Sequence, residues 1–233
     1  MASRWPEDDD AQEEGREASA MAPHADVAKM VPSLPLETRY PPFPLRQYAG
    51  FWLPETTVKA AVPFVHARFA PRPDDVFLAS FPKSGTTWLM ALAFATLNRS
   101  AHPPSDDTGH PLRHRNPHDC VKLLETELTF TKDMDSLMEE LEALPSPRVF
   151  ATHLPYTLLP GRVTDDHTGC RIVYICRDPN VLVSLWHFTK KAMPIARVDA
   201  GSFPFQQLFE LFCEGRCPNG PPWRHILSTG RRA

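Results

Sequence analysis

The sequence predicts an α/β fold in which a parallel sheet is flanked by helices. Short runs rich in valine and isoleucine alternate with longer stretches of helical apolar spacing, and proline or glycine bounds the strand-like runs. Parallel strands are joined by such helices, which cover both faces of the sheet. The hydrophobic share of the 233 residues is 42%, which is enough to bury a substantial core.

The predicted elements lie in the second part of the chain. Strands are expected at residues 75–80, 148–154 and 171–177, and helices at residues 86–99, 134–144, 181–193 and 205–215. The expected N-cap of the helix at 134–144 is Asp133, Asp135 or Ser136. A short polar side chain there accepts a hydrogen bond from a free N–H group of the first turn.

The chain divides into three predicted segments. Residues 1–30 carry an acidic run and few large apolar side chains, which predicts a disordered acidic leader. Residues 31–73 repeat proline among aromatic residues and predict an extended segment laid over the domain, where it forms one wall of a pocket. Residues 74–233 are predicted to form the α/β domain.

Charge and composition exclude several classes of function. The 25 Lys and Arg residues nearly balance the 28 Asp and Glu residues, so bulk attraction to nucleic acid or to an anionic membrane is not expected. No apolar run approaches the roughly 20 residues of a membrane span. The acidic N-terminus lacks the apolar core of a signal peptide, so a cytoplasmic location is predicted. Five cysteines form no paired framework, which predicts reduced thiols.

A loop between the first predicted strand and its helix carries the candidate binding residues. They are one cation, one glycine, three hydroxyls and an aromatic ring: Lys83, Ser84, Gly85, Thr86, Thr87 and Trp88. Free N–H groups at a helix start attract anions, and glycine lets the chain approach a ligand closely. The loop is therefore a P-loop-like phosphate cradle, although its lysine precedes the glycine and so departs from the Walker A order.

Three motifs resemble those of the cytosolic sulfotransferase family. "FPKSGTTW" resembles the loop of that family that binds a 5′-phosphosulfate, "YICRDPNVLVSLWHF" its 3′-phosphate segment, and "ATHLPYTLLP" the segment with its catalytic histidine. "LRQYAGFWLPE" and "NPHDC" are similar to the plant branch. The resemblance covers residues 45–225. It implies a sulfotransferase fold and an enzyme dependent on 3′-phosphoadenylyl sulfate (PAPS).

The resemblance implies roles for individual residues. The cradle residues Lys83 to Thr87 would hold the 5′-phosphosulfate of PAPS, the co-substrate, and Trp88 would stack on its adenine. Arg177 and Ser184 would bind the 3′-phosphate, for which the planar arginine fork is well suited. His153 would take the proton of the acceptor hydroxyl. The acceptor would be a small lipophilic molecule of the flavonoid, steroid or hormone type.

General chemistry agrees with these roles. Histidine titrates near working pH, so it suits proton removal from an alcohol or phenol. The Lys83 ammonium can stabilise the negative charge that builds on the leaving nucleotide. A sulfuryl group carries less charge than a terminal phosphoryl group, so no metal is expected.

Two departures from the family pattern lead to alternatives. The segment between Arg177 and Ser184 is one residue shorter, which rotates a following helix by about 100° and could put Leu185 where the serine stood. The chain also stops at Ala233 before the expected "RKG" loop, which predicts a fold incomplete at its C-terminus. A truncated relative that only binds nucleotide therefore stays open, as do a homodimer and, less favoured, a nucleotide kinase.

Two further groups of residues are not predicted to bind a metal ion or a ligand. His102, His110, His114 and His118 share one proline-containing loop, but their spacing matches no zinc pattern, so the loop is expected to border the acceptor pocket. Trp186 and Phe188 are expected to pack in the core rather than to touch ligand.

Overall fold

A four-stranded parallel sheet forms the centre of the protein. The computed structural model describes residues 24–105, 109–131, 133–178 and 180–230. The parallel strands are β4 (Val76–Ser80), β5 (Lys122–Leu123), β6 (Val149–Thr152) and β7 (Arg171–Ile175), in the spatial order β5-β6-β4-β7. The predicted α/β class with a parallel sheet is confirmed. The sequence did not reveal β5, which has only two residues.

Strand β4 lies inside the sheet and is buried along its whole length. It pairs in parallel with β6 and with β7, so that Ala79 is level with Thr152 on one side and with Tyr174 on the other. A strand buried on both faces reads as a continuous apolar run, as "VFLA" does here. The parallel register brings the carboxyl ends of the three strands to one edge.

Helices surround the sheet in the described part of the chain. They are α1 (Val27–Met30), α2 (Val62–Ala67), α3 (Thr86–Leu97), α4 (Pro117–Cys120), α5 (Leu124–Phe130), α6 (Met134–Ala143), α7 (Gly161–Thr164), α8 (Val181–Ile195), α9 (Phe205–Cys213) and α10 (Pro222–Gly230). Of the three residues predicted as the N-cap of α6, Asp133 is the one that caps it. Its side chain accepts hydrogen bonds from the N–H groups of Asp135 and Ser136. Within the described ranges, no helix is long and apolar enough to cross a lipid bilayer.

The segment predicted as extended is more regular than expected. It contains a small antiparallel sheet of β1 (Leu36–Glu37), β2 (Leu45–Tyr48) and β3 (Phe51–Pro54). Ala49 and Gly50 join β2 to β3, and both have positive φ, as a two-residue hairpin turn requires. A π-helix at Thr57–Ala61 continues directly into α2.

The described structure also includes residues before the predicted boundary at residue 31. Val27 of α1 is fully buried and belongs to the main apolar cluster, which explains why this part of the acidic leader is held against the domain. Residues 1–23 of the predicted leader lie outside the described residues.

Side chains alternate between the two faces of β4 and divide the core. Phe77 packs on one face with Phe69 and Phe150, whose rings meet edge to face at 5.3 Å. Leu78 points to the other face, where it packs with Met90 of α3. Helix α3 is therefore fixed directly above the strand that precedes it, and this fixes the loop between them.

A buried ion pair closes the opposite, amino-terminal edge of the sheet. Arg148 donates from Nε to Oδ1 of Asp75 at 2.8 Å and from Nη2 to Oδ2 at 2.5 Å. The two side chains are only 2% and 0% exposed. Arg148 also donates to the carbonyl oxygens of Leu141 and Ala70, so each of its three guanidinium nitrogens makes a hydrogen bond. The pair joins the residue before β4 to the residue before β6.

Removing one partner of this pair is expected to destabilise the fold strongly. Asp75→Ala leaves the buried Arg148 guanidinium without its counter-ion and should lower the free energy of unfolding by about 3–5 kcal/mol. Asp135→Ala is the matched control, because its pair with Arg68 is exposed and contributes at most about 1 kcal/mol. Urea unfolding at pH 7 measures both variants. Equal, small losses would show that the buried pair contributes no more than the exposed one.

Candidate functional site

A pocket of about 780 Å³ opens at the carboxyl edge of the sheet. Strands β4, β6 and β7 end there at Ser80, Thr152 and Ile175. Every residue of the predicted site except Ser84 lines this pocket: Lys83, Gly85, Thr86, Thr87, Trp88, His153, Arg177 and Ser184. Ser84 is buried beneath the loop at 5% exposed. The other walls include Tyr40, Pro41, Pro42 and Phe43, so the proline-rich segment does contribute to the pocket, as predicted.

The loop after β4 bends sharply before α3 begins. The Ser84 N–H donates to the Phe81 carbonyl oxygen at 3.2 Å, and both Lys83 (φ 67°) and Gly85 (φ 113°) have left-handed backbone angles. A Cβ on Gly85 would lie 3.2 Å from Cδ1 of Ile175, so both the angle and the space favour glycine. Gly85 is the N-cap of α3, and the free N–H groups of that helix begin immediately after it.

The Lys83 ammonium lies inside the pocket over an aromatic ring. Its Nζ is 4.2 Å from the ring centre of Phe188 on α8, which is a cation–π contact. Burial lowers the pKa of Lys83, and the positive charge of Lys191 lowers it further. The expectation that Phe188 packs in the core is therefore wrong, because its side chain is 55% exposed and faces the pocket. Trp186 does pack partly buried against the core cluster around α8 and α9.

The His153 ring is held in one orientation by the end of β4. Its Nδ1 lies 2.8 Å from the carbonyl oxygen of Ser80, which can only accept, so Nδ1 carries the hydrogen. In the neutral imidazole the lone pair is then on Nε2. The hydroxyl of Ser80 lies 3.3 Å from the same Nδ1 and 2.6 Å from the hydroxyl of Thr86. Ser80 therefore connects the histidine to the cradle.

The backbone of His153 is fixed by three buried side chains. Glu125 Oε1 accepts from the His153 N–H at 2.6 Å, and also from the Thr152 hydroxyl and the Leu154 N–H. The His153 carbonyl oxygen accepts from Nδ2 of Asn219 at 2.8 Å and from Nε2 of His225 at 3.0 Å. Sequence reasoning did not identify Ser80, Glu125, Asn219 or His225. Glu125 lies two residues after β5, a strand that the sequence did not reveal, so no local pattern marked it.

The residues predicted to contact the adenine and the 3′-phosphate of the nucleotide also line the pocket. Trp88 is 71% exposed, so its ring face is free for contact with a ligand. Arg177 is exposed at the end of β7, and Ser184 is half-buried on the first turn of α8. The shortened connection does not remove Ser184 from the pocket, although Leu185, which is 2% exposed, lines it as well. Their joint grip on a 3′-phosphate stays a prediction.

The histidines of the proline-containing loop have separate partners. His102 stacks on Phe94, with ring centres 6.0 Å apart, and Nδ1 of His110 accepts from the Leu112 N–H. Only His118 lines the pocket, where its Nε2 lies 3.0 Å from the Thr87 hydroxyl. Among the residues that the structure describes, no group of three His, Cys, Asp or Glu side chains is arranged to hold a metal ion.

Comparison with known proteins shows which protein family this chain belongs to. The sequence pattern of the sulfotransferase domain matches residues 73–232, and the chain accordingly belongs to the sulfotransferase family. Cytosolic sulfotransferase 10 of Arabidopsis thaliana is 39% identical over 211 residues, which are 90% of this chain and 61% of that protein. Cytosolic sulfotransferase 12 of the same plant is 39% identical over 199 residues, or 85% and 58%. The chain thus spans about three fifths of these relatives.

Solved structures show the same architecture. An Arabidopsis thaliana protein assigned to the steroid sulphotransferases superposes with a TM-score of 0.70 at 34% identity, over 97% of this chain and 70% of that one. A mouse sulfotransferase complexed with PAP superposes with a TM-score of 0.54 at 27% identity, over 80% and 58% of the two chains. The predicted membership of the plant-type cytosolic sulfotransferases is confirmed.

His225 is buried and neutral behind the site. Its Nε2 hydrogen is donated to His153, so its Nδ1 accepts from the Tyr174 hydroxyl at 2.9 Å. The ring is fully shielded from solvent, and burial lowers the pKa of His225 to about 4. Folding therefore requires this imidazole to stay unprotonated across the mildly acidic range.

The stability of the protein should fall between pH 6.5 and pH 4 because of His225. The unfolded state takes up a proton near pH 6.5 and the folded state only near pH 4, so stability is complete above 6.5 and is lost as pH falls. The loss attributable to this residue should approach about 3 kcal/mol.

Urea unfolding of wild type, His225→Gln and the exposed control His167→Gln at pH 7 and pH 4.5 measures this loss. The difference in stability between the two pH values should shrink only in His225→Gln. An unchanged difference in that variant would show that His225 does not cause the acid sensitivity.

Proposed function

We propose that this chain transfers a sulfuryl group from PAPS to a hydroxyl of a small lipophilic acceptor, with His153 as the general base. The observation that carries the proposal is the hydrogen bond from His153 Nδ1 to the Ser80 carbonyl oxygen. It leaves the basic Nε2 available at the pocket that Lys83 also lines. A base and a cation at one pocket are the two groups that sulfuryl transfer to an alcohol needs.

The donor set of the loop fits a nucleotide phosphosulfate. The start of α3, Lys83 and the hydroxyls of the cradle supply N–H, O–H and ammonium donors and no carboxylate. The mouse relative's complex with PAP, the bisphosphate left after PAPS has given up its sulfuryl group, supports the choice of nucleotide. Trp88 would stack on adenine, while Arg177 and Ser184 would hold the 3′-phosphate.

The acceptor side of the pocket supports a lipophilic substrate. Pro41, Pro42, Phe43 and Phe188 contribute apolar surface to the walls, and the cradle, His153 and several threonines contribute polar groups. Apolar walls with a few convergent polar groups are typical of small-molecule sites. A flavonoid, steroid or hormone-like alcohol would place its hydroxyl at Nε2 of His153 and its ring system against those walls.

His153 and Lys83 divide the work of the transfer. PAPS supplies the sulfuryl group, whose S–O bond to the nucleotide breaks as the acceptor oxygen bonds to sulfur. His153 Nε2 takes the acceptor proton, and the resulting imidazolium keeps its Nδ1–H bond to Ser80. Lys83 stabilises the charge on the departing phosphate.

Nucleotide binding without transfer is the second candidate function. It is favoured by the connection between Arg177 and Ser184, which is one residue shorter than the family pattern. In either case the names of the two Arabidopsis thaliana relatives support a cytosolic location.

The protein should prefer adenosine 3′,5′-bisphosphate to ATP. Lys83→Ala should weaken binding of the bisphosphate about tenfold or more, because a charge-assisted contact to phosphate is lost. Lys29→Ala, an exposed lysine on α1, is the matched control and should bind as wild type does. Titration calorimetry measures all three proteins. A preference for ATP would reject the sulfotransferase assignment and favour a kinase-like use of the loop.

His153→Ala should lower the rate of sulfuryl transfer by about 10²–10⁴-fold, since the general base is removed. Nucleotide affinity should stay near the wild-type value, because the cradle is intact. Transfer of labelled sulfuryl from PAPS to a panel of flavonols and steroids measures the rate, with His167→Ala as the control. If wild type is as inactive as His153→Ala but binds the bisphosphate, the second candidate function replaces the first.

A further inference from the structure

The segment "NPHDC" forms a rigid turn beside the phosphate cradle. The Asn116 side chain accepts from the His118 N–H at 3.0 Å, and the Asp119 carboxylate accepts from the Asn116 N–H at 3.1 Å. Pro117 occupies the first position of the short helix α4, where its fixed φ suits the turn. Because both ends of the turn are tied, the position of His118 is set by the backbone.

The His118 ring meets the cradle at one hydroxyl. Its Nε2 lies 3.0 Å from Oγ1 of Thr87, the second residue of α3. Both side chains line the pocket. The contact crosses 31 residues of sequence, and neither the loop pattern nor the histidine spacing indicated it.

We propose that His118 is a positioning residue that turns the Thr87 hydroxyl hydrogen toward the 5′-phosphate group of the bound nucleotide. A hydroxyl has one hydrogen and two lone pairs. When His118 donates from Nε2, Oγ1 accepts and its own hydrogen is free for the anion. When Nε2 accepts instead, the hydroxyl hydrogen is directed at the histidine and the anion loses a donor. The assignment rests on the proposed function, which places that phosphate at Thr87.

The surroundings of His118 favour its neutral form. Burial lowers the pKa of His118, the charges of His153 and Lys83 lower it further, and only Asp119 opposes them. A neutral imidazole can carry its hydrogen on either nitrogen. An anion at the cradle selects the form with hydrogen on Nε2, because this form leaves the threonine hydrogen free.

A double-mutant cycle on adenosine 3′,5′-bisphosphate affinity tests the proposal. His118→Phe keeps a ring but removes the donor, and should raise the Kd roughly fivefold. His118→Gln retains an N–H donor at a similar reach and should bind within about twofold of wild type. In a Thr87→Val background, His118→Phe should cause no further loss, since it acts through that hydroxyl. His167→Phe is the surface control, and thermal unfolding confirms that each variant is folded.

The outcomes separate this proposal from the proposed function. If wild type prefers the bisphosphate to ATP but His118→Phe binds normally, or binds equally worse with and without the Thr87 hydroxyl, the role of His118 is rejected and the nucleotide site stands. If wild type does not bind the bisphosphate, both proposals are rejected. Recovery of affinity in His118→Gln is the result that a purely packing role for the ring would not produce.

Discussion

The hydrogen bond between His153 and the last residue of β4 is the contact on which the site depends. It forms because β4 and β6 are parallel neighbours, so that the residue ending one strand lies beside the residue following the other. The same residue, Ser80, bonds the Thr86 hydroxyl at the start of α3. One strand end thus aligns the candidate base with the candidate anion cradle, and the buried faces of β4 keep that end rigid.

Distant parts of the chain secure the histidine from behind. The Trp52 N–H of β3 donates to the Gly220 carbonyl oxygen at 2.7 Å, and the Asn219 N–H donates back to the Trp52 carbonyl oxygen at 2.7 Å. Asn219, held at a positive φ in this bridge, reaches the His153 carbonyl oxygen with its side chain. The N-terminal hairpin therefore contributes to the geometry of the site although it supplies no chemistry. His225 adds a second bond and must remain neutral to stay buried there.

The charge of the pocket is a local property. Over the full sequence acidic residues slightly outnumber basic ones, with a net charge of −3, yet Lys83 and Arg177 converge on one sheet edge together with His118 and His153. Burial lowers the pKa of Lys83, and the neighbouring Lys191 charge adds to this effect. An anion in the pocket would interact favourably with these positive charges, so the site is electrostatically suited to an anionic ligand. The aromatic face of Phe188 contacts the Lys83 ammonium and stabilises its positive charge.

The sequence by itself determined the parallel α/β class, the loop after β4 and the identity of its donors. Local rules suffice there, because a buried apolar run, a glycine at the turn and hydroxyls at a helix start are read within twenty residues. The sequence did not predict the helical residues 57–67 or strand β5. A proline obscures the periodicity of the first, and the second is too short to show any. Only the tertiary structure decided that Phe188 faces the pocket, that His118 reaches Thr87, and that Glu125, Asn219 and His225 fix His153. The partners in those contacts lie between 28 residues apart, for Glu125 and His153, and 105 residues apart, for Phe188 and Lys83. No local sequence pattern encodes which of these distant residues packing brings together.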